Sequence, residues 1–406
     1  MTTASKSPHV LILGAGLGGL TLAQSLRKKD ISFEVFEKAQ DDKQPQGWAV
    51  GLHTMLKDFH ESMPDDMPDF GMVNHLNPLK IMPEIAFYNG PDGEKLGYRD
   101  NGAGYWVRAN RTRLRDWLST KINVQFNKQA VRIEEDDSGV TVHFKDGSKA
   151  SGDIVVGAEG VHSPTRKHLL KGEDKLVRHK TASVGGECTL SGPLFVEQLQ
   201  LAHSSYMINF PNTQHGDGKK YHLFVGLNKV IPDGKSGDFY FTLLWTDEGV
   251  ATDPDHFWTR TASREELHAF ARRITADLPE KFRRTVDETT VEGMLDKQIT
   301  IYTLILDEDA LPAGRITLLG DAAHAMTPFR GEGGCHAMQD ALKLARAVAS
   351  IADKDDAESI KTVLGAYQKE MIKRGSEAAR LSDTQLDQER PPNMFMQPLP
   401  KDQVVI

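Results

Sequence analysis

Three separated stretches of this chain hold residue types whose spacing could do chemistry together. The first is Gly14-Ala15-Gly16-Leu17-Gly18-Gly19. In such a turn Gly14 permits the tight reversal, Gly16 lets backbone approach a diphosphate, and Gly19 lets the following helix pack closely. The unpaired N–H groups that open that helix, and its partial positive charge, complement phosphate. A glycine turn also serves simply to join a strand to a helix, so context must decide. Here an apolar strand precedes it, and Glu37 closes a second strand about twenty residues on, where a carboxylate accepts ribose hydroxyls and disfavours a phosphorylated ribose. These residues point to a dinucleotide without separating FAD from NAD. The second stretch is Asp153-Ile-Val-Val-Gly157-Ala-Glu159-Gly160-Val-His-Ser163-Pro-Thr-Arg166. The third is Gly320-Asp321-Ala-Ala-His324, continuing through Pro328 to Gly331-Glu-Gly333-Gly334.

Elements must position these residues. Residues 9–13, a helix through residue 27, and residues 31–37, in which Ile31, Phe33 and Val35 alternate, predict a βαβ unit. Residues 39–100, rich in Pro, Gly and Asp, predict loops with short elements, while Leu114, Trp117 and Leu118 give residues 111–119 helical spacing. Residues 140–144 alternate and run into Asp146-Gly147, a hairpin turn, and residues 154–156 form a strand. Aromatic and β-branched runs at 206–210, 221–225 and 239–245 predict a second, sheet-rich domain. Residues 315–319 predict a buried strand leading into Gly320-Asp321, followed by helices over 334–351 and 355–381. Residues 390–406 are rich in Pro and Met and show no periodicity.

At 406 residues, with 39% apolar and 26% charged residues, the composition is that of a globular enzyme long enough for two domains. A net charge of -8 argues against a nucleic-acid partner, which needs clustered Lys and Arg. The two cysteines, Cys188 and Cys335, suggest neither a disulfide framework nor a zinc site, and no His pair has metal-ligand spacing, so no metal is expected and the reducing cytoplasm fits best. The apolar stretch 10–23 is too short to span a bilayer and carries glycines a membrane helix has no use for, so no membrane association is expected.

The second and third stretches, taken with the first and in that order, resemble the fingerprints of the para-hydroxybenzoate hydroxylase-type FAD-dependent monooxygenases. The resemblance covers residues 9 to 170 and 310 to 350, and the middle of the chain is similar in length and sheet character only. It implies an α/β fold: a Rossmann-like FAD-binding domain from residues 1–75, 101–175 and 306–352, an inserted sheet-rich (α+β) substrate domain from 76–100 and 176–305, and a C-terminal helix and tail over 353–406. It also implies FAD-binding roles for Gly14, Gly16, Gly19, Glu37, Lys38, Val50, Arg111, Val131, Asp321, Gly333 and Gly334, with Arg113 and Arg115 as competitors of Arg111. The chemistry of the third stretch agrees: a carboxylate ending a buried strand accepts hydrogen bonds from the ribityl chain, and a helix opening near Gly334 turns its positive end toward the isoalloxazine. Two positions depart from the pattern. Glu159 stands where the family usually has Asp, and Cys335 where it commonly has Asn, which leaves the flavin contact there to the backbone of Gly333 and Gly334.

The resemblance implies a reaction in which NAD(P)H reduces FAD, and O2 forms a flavin C4a-hydroperoxide that oxygenates a small molecule in a dry site. The outcome expected is hydroxylation or epoxidation of an aromatic, indole-like or polycyclic compound, in the style of fungal natural-product monooxygenases, by a monomer or weak homodimer. Tyr206, Tyr221, Tyr240, Trp245, Pro328 and Phe329 are the substrate-pocket candidates, His324 reads as structural, and no catalytic base is named. A flavin reductase or dehydrogenase would keep the same motifs, and a non-catalytic FAD-binding protein would carry flavin that NAD(P)H cannot reduce.

Overall fold

The computed structural model describes residues 7–42, 47–102, 104–211, 219–296, 299–384 and 397–399. Strand β1 (Val10–Leu13) is buried at all four positions, as a strand covered on both faces must be. Helix α1 (Leu17–Lys28) carries the chain across to β2 (Phe33–Phe36), which pairs with β1 in parallel. Ile154–Gly157 and then Ile316–Leu318 add on the other side of β1, and Val124–Gln125 adds beyond β2, giving a five-stranded parallel sheet. The Asp146-Gly147 hairpin lies in a three-stranded antiparallel sheet over 130–152, and Gly147 has φ +86° as that turn requires. A separate ribbon of β3 (Val50–Leu52) and β4 (Val107–Ala109) leads into α2 (Arg111–Leu118), capped by the Asn110 side chain on the Arg113 N–H.

The larger sheet has seven strands. Four of them are β5 (Thr181–Ser191), β6 (Ser205–Pro211), β7 (Lys220–Val230) and β8 (Ser236–Thr246), with β5 at one edge. Glu84–Asn89 pairs in parallel with β6, Leu96–Arg99 joins beyond it, and Gln397–Pro398 forms the far edge. Alternation along the strands divides the two faces. Phe239, Phe241, Leu243 and Trp245 of β8 enter one apolar core together with Leu267 and Ile274 of helix Arg264–Thr275 and Phe282 of helix Glu280–Glu288. Each such fully buried side chain contributes roughly 1.5–3 kcal/mol. The opposite face, with Tyr240, Thr242 and Leu244, is turned toward the β3–β4 ribbon, as the Arg108–Tyr240 hydrogen bond and the Trp48–Tyr240 stack show.

The chain then returns to the parallel sheet. Helix α3 (Gly333–Ala349) packs on α1 so closely that a Cβ on Gly18 would stand 3.2 Å from the Ala337 carbonyl oxygen. Helix α4 (Ala357–Asp383) lies over α3 and the site loop, with Ser382 Oγ donating to the Thr327 carbonyl at 2.8 Å. Among the described residues, no helix is long and apolar enough to cross a membrane.

Candidate active site

The glycine turn divides its labour in space. Gly14 has φ +110°, and a Cβ there would stand 2.3 Å from the Ala158 carbonyl oxygen, so only glycine fits between β1 and the neighbouring strand's end. A Cβ on Gly19 would be 2.1 Å from the Gly14 carbonyl oxygen, which makes Gly19 the close-packing residue. Around Gly16 nothing of the protein lies within 4 Å of such a Cβ, and no side chain caps the start of α1. An open approach to uncapped helix N–H groups is what a diphosphate requires. Glu37 braces the turn: its carboxylate accepts from Ala15 N at 2.8 Å and Ala39 N at 3.0 Å. Lys38 beside it is exposed. Val131, 57% exposed, stands at a register irregularity of its strand between paired Ala130 and Arg132, which turns it out of the ladder.

Three arginines on α2 look interchangeable in sequence, and their partners separate them. Arg115 is buried and donates to the carbonyls of Ala15 and Asp42, clamping the glycine turn. Arg113 donates to the Asn74 carbonyl at 2.9 Å. Arg111 has no hydrogen bond or ion pair among the described residues; its guanidinium faces the Gly47 backbone, and the nearest opposite charge acting on it is Asp321. Its surface is accessible, yet the surrounding protein pushes its pKa down, the combination expected of a group lining a cleft. Asp321 mirrors it. That carboxylate is part-exposed and without a hydrogen-bond partner among the described residues, and burial holds its pKa above the ordinary value against the pull of His324 and Arg111.

A buried network fixes the turn that presents Asp321. Asp340 of α3, fully buried, accepts from Gly320 N at 2.8 Å and pairs with His324 Nε2 at 2.7 Å, while its other oxygen takes Arg374 of α4. Burial opposes the charge on His324, but Asp340 outweighs it and holds the imidazole pKa above its usual value. His324 also fills the space beside Gly375, where a Cβ would stand 2.2 Å from its ring, so it is built into the α3–α4 junction and faces no cleft. At the start of α3 no side chain caps the helix; Gly333 and Gly334 are part-buried, and a Cβ on Gly334 would come within 3.1 Å of Val50. Cys335 Sγ lies 3.4 Å from the Gly51 carbonyl, and burial pushes its pKa up to about 12, so it packs as a neutral thiol. Pro328 is exposed, and Phe329 stands edge-on to His179 at 5.7 Å.

The middle motif holds its own loop. Glu159 accepts from Ser163 Oγ at 2.6 Å and from the Thr165 hydroxyl, and burial nonetheless raises its pKa. Fully buried Arg166 ties this loop to the third motif, donating to the Ala322 and Val161 carbonyls. The extra methylene of Glu159 is thus taken up within the turn opening helix Pro164–Leu169.

The substrate-pocket candidates divide by sheet face. Tyr240 faces the ribbon, stacked on Trp48 with ring centroids 4.1 Å apart, and its hydroxyl accepts from Arg108 at 2.7 Å. Burial keeps its phenol protonated, raising the pKa although Arg108 opposes the shift. Strand alternation turns Tyr206, Tyr221 and Trp245 to the helix-covered face, the opposite one from Tyr240. Tyr206 donates to Gln198, and Tyr221 and Trp245 line a cleft of about 750 Å³ with Trp258 and Phe270. The sequence alone does not single out Arg108, Trp48 or Asp340. A lone cation inside the apolar strand Val107–Ala109 was the signal available for Arg108.

The residues present fit FAD. The open glycine turn suits the diphosphate, unpartnered Arg111 and Asp321 suit its phosphate and ribityl groups, and the uncapped, glycine-opened start of α3 suits a flavin ring. Residues 7–382 match the family described as "FAD binding domain". The chain is 44% identical over 386 residues to the FAD-dependent monooxygenase thnD of Trichoderma harzianum, covering 93% of each chain. It is 32% identical over 352 residues to an FAD-dependent urate hydroxylase of Klebsiella pneumoniae, covering 82% of this chain and 79% of the relative. The crystal structure of Klebsiella pneumoniae HpxO complexed with FAD and uric acid superposes with a TM-score of 0.71 at 22% identity, covering 95% of this chain and 90% of that one, and shares the fold. The chain belongs to the para-hydroxybenzoate hydroxylase-type family of FAD-dependent monooxygenases.

Proposed function

We propose that this chain uses NAD(P)H and O2 to hydroxylate or epoxidise a small aromatic, indole-like or polycyclic compound in cytoplasmic secondary metabolism, as a monomer or weak homodimer. The observation that carries the reading is the aromatic face formed by Trp48, Tyr240 and Phe224, which belongs to the side of the large sheet turned toward the β3–β4 ribbon. The FAD-dependent monooxygenase of Trichoderma harzianum supports the oxygenase part of this reading. The division into an FAD-binding domain (1–75, 101–175, 306–352), a substrate domain (76–100, 176–305) and a C-terminal segment (353–406) belongs to the same proposal.

When bound, FAD would supply the redox chemistry linking the nicotinamide to O2. The protein's residues then divide the remaining work. Arg111 holds phosphate, Asp321 accepts ribityl hydroxyls, Glu37 and Lys38 frame the adenosine end with Val131, and the N-terminus of α3 at Gly333 and Gly334 places positive charge beside the flavin ring, with Val50 packed behind it. Pro328 and Phe329 would border the ring. The aromatic face excludes water from the reacting carbon. The test is a screen of phenols, indoles and polycyclic intermediates for stimulated NAD(P)H oxidation, followed by mass spectrometry under ¹⁸O2. One labelled oxygen in the product is expected. Reductant consumption with unlabelled product identifies a reductase instead.

A further inference from the structure

We infer that the cleft behind the large sheet, walled by Tyr221, Trp245, Trp258 and Phe270 and charged at one end by Arg273, is a second binding site that takes a planar aromatic carboxylic acid. It lies on the sheet face opposite Tyr240 and the β3–β4 ribbon, so a ligand there is held across the sheet from the aromatic face described above. The inference stands whichever compound the enzyme oxygenates.

Two strands and two helices build the cleft. Its floor is Tyr221 of β7 and Trp245 of β8, both buried on the face that strand alternation turns to the helices. One wall is Trp258, which opens the short helix Trp258–Thr261. The other is helix Arg264–Thr275, whose residues divide by period. Leu267, Ala271 and Ile274 enter the core, while Glu266, Ala269, Phe270 and Arg273, spaced i, i+3, i+4 and i+7, form a neighbouring stripe that lines the cleft. At about 750 Å³ the cavity falls within the roughly 300–1,000 Å³ of small-molecule sites.

The aromatic wall is set before any ligand arrives. Trp258 lies nearly parallel to Trp245, with ring centroids 6.2 Å apart and planes 25° from one another, and stands edge-on to Phe270 at 4.7 Å. Phe270 is in turn 5.2 Å from Trp245. Rings interlocked in this way lose little further freedom when a ligand binds. Trp258 nevertheless remains 38% exposed, and that surface continues the stack begun by Trp245. A flat aromatic ring is the shape that extends it.

The charges select the ligand's other end. Lys219 is engaged by Asp247 at 2.6 Å, and the Glu266 carboxylate accepts from Ser263 N at 2.8 Å in the cap of its own helix. Arg272 is turned away to Asp287. Arg273 differs: it has no hydrogen bond or ion pair among the described residues, and its guanidinium stands over the Phe270 ring, 5.5 Å from the centroid. A cation is thus left at the aromatic wall without an acid, while Glu266 stands two turns away, about 10 Å along the helix. A ligand that fits sets a carboxylate on the Arg273 fork and a neutral ring body toward Glu266, which repels a second acid. Two fused rings bearing one carboxylate span that separation.

The test uses FAD-loaded protein labelled with 5-fluorotryptophan and followed by ¹⁹F NMR, with the Trp258 signal assigned from its loss in Trp258→Phe. Titration with 2-naphthoate should shift that signal to saturation. The neutral analogue 2-naphthamide should bind about three- to tenfold more weakly, the difference expected of one exposed charge-assisted contact. Arg273→Gln should erase the difference, and Ala269→Met, which fills the cleft from an exposed position of its wall, should prevent the shift by either probe. If Trp258→Phe does not fold, calorimetric titration of wild type, Arg273→Gln and Ala269→Met asks the same question. A Trp258 signal unmoved by millimolar naphthoate, as when the probe enters the catalytic site alone, overturns the inference. So does equal binding of acid and amide by wild type, a preference that survives Arg273→Gln, or, in the calorimetric arm, binding that survives Ala269→Met. A Trp258 signal that shifts with protein concentration in the absence of probe assigns the cleft to a second copy of the chain and overturns it as well.

Discussion

Replacing Asp321 by asparagine should weaken FAD binding while leaving the apoprotein as stable as before, or more so. The carboxylate has no hydrogen-bond partner among the described residues, and burial holds its pKa above the unfolded value, with His324 and Arg111 opposing. For an acid, a raised folded pKa means that the ionised form is disfavoured by folding. The penalty is absent below the folded-state and unfolded-state pKa values alike, and is present in full once pH exceeds the folded value. Near neutral pH asparagine removes it. With FAD bound the balance reverses, because an ionised acceptor makes charge-assisted hydrogen bonds worth about 1.5–3 kcal/mol, or ten- to a hundredfold in Kd. In a chain of 406 residues that loss corresponds to roughly 2–4 °C of the Tm gained on adding FAD. Reconstitution of apoprotein followed by flavin fluorescence gives the Kd, and differential scanning fluorimetry gives both melting points. An Asp321→Asn protein with wild-type FAD affinity, or an apo form melting several degrees lower, would refute the assignment of this carboxylate to the cofactor.

The glycine turn offers a paired test: Gly16→Ala should fold normally yet lose FAD affinity, whereas Gly19→Ala, whose methyl collides with the Gly14 carbonyl, should melt lower even without flavin. His324→Ala should lower the apo Tm, which Asp321→Asn should not, since it opens a cavity and strips one partner from buried Asp340, while FAD retention falls less than in Asp321→Asn. His336 is held at about 4 by burial, assisted by His324 and Arg374, against an unfolded value near 6.5. The unfolded chain therefore protonates first as pH falls, and stability should decline between pH 6.5 and 4. His336→Gln, which keeps an acceptor for Arg374, should flatten that part of the Tm profile. Stopped-flow reduction by NAD(P)H should accelerate when the true substrate is bound, because one glycine-rich turn serves FAD and the reductant must dock transiently; an unchanged rate rejects such gating.

Local chemistry made much of the cofactor domain readable. The strand, glycine turn and helix of residues 10–28 need no distant partner to be recognised, and the helices over 333–349 and 357–383 lie within two residues of their expected ends. The larger sheet was harder. Thr181–Ser191 escaped notice because Gly185 and Gly186 and several polar residues blur its alternation. Those glycines are needed by packing, since a Cβ on Gly186 would stand 2.8 Å from the Phe241 ring. Likewise Glu84–Asn89 lies in a segment that reads as loop, and becomes a strand by pairing in parallel with Ser205–Pro211, a partner more than a hundred residues away.

The site divides along the same line. Period two declares that Phe239, Phe241, Leu243 and Trp245 share a face and that Tyr240, Thr242 and Leu244 share the other, but which face meets the cofactor is set by how the two sheets dock. Choosing residues by aromatic type therefore gathered Tyr206, Tyr221 and Trp245 from the covered face beside Tyr240 from the open one. The arginines make the complementary point. Arg111, Arg113 and Arg115 are equivalent as spacing on one helix, and Arg108 is only an odd residue in a strand. Counting hydrogen-bond partners separates them: Arg113 and Arg115 are spent on backbone carbonyls, Arg111 is open toward Asp321, and Arg108 holds donors that the protein leaves unmatched. Cofactor recognition is written in glycines and a carboxylate whose roles are local. Which buried polar groups the fold leaves unsatisfied becomes visible only when the partners of every such group are known.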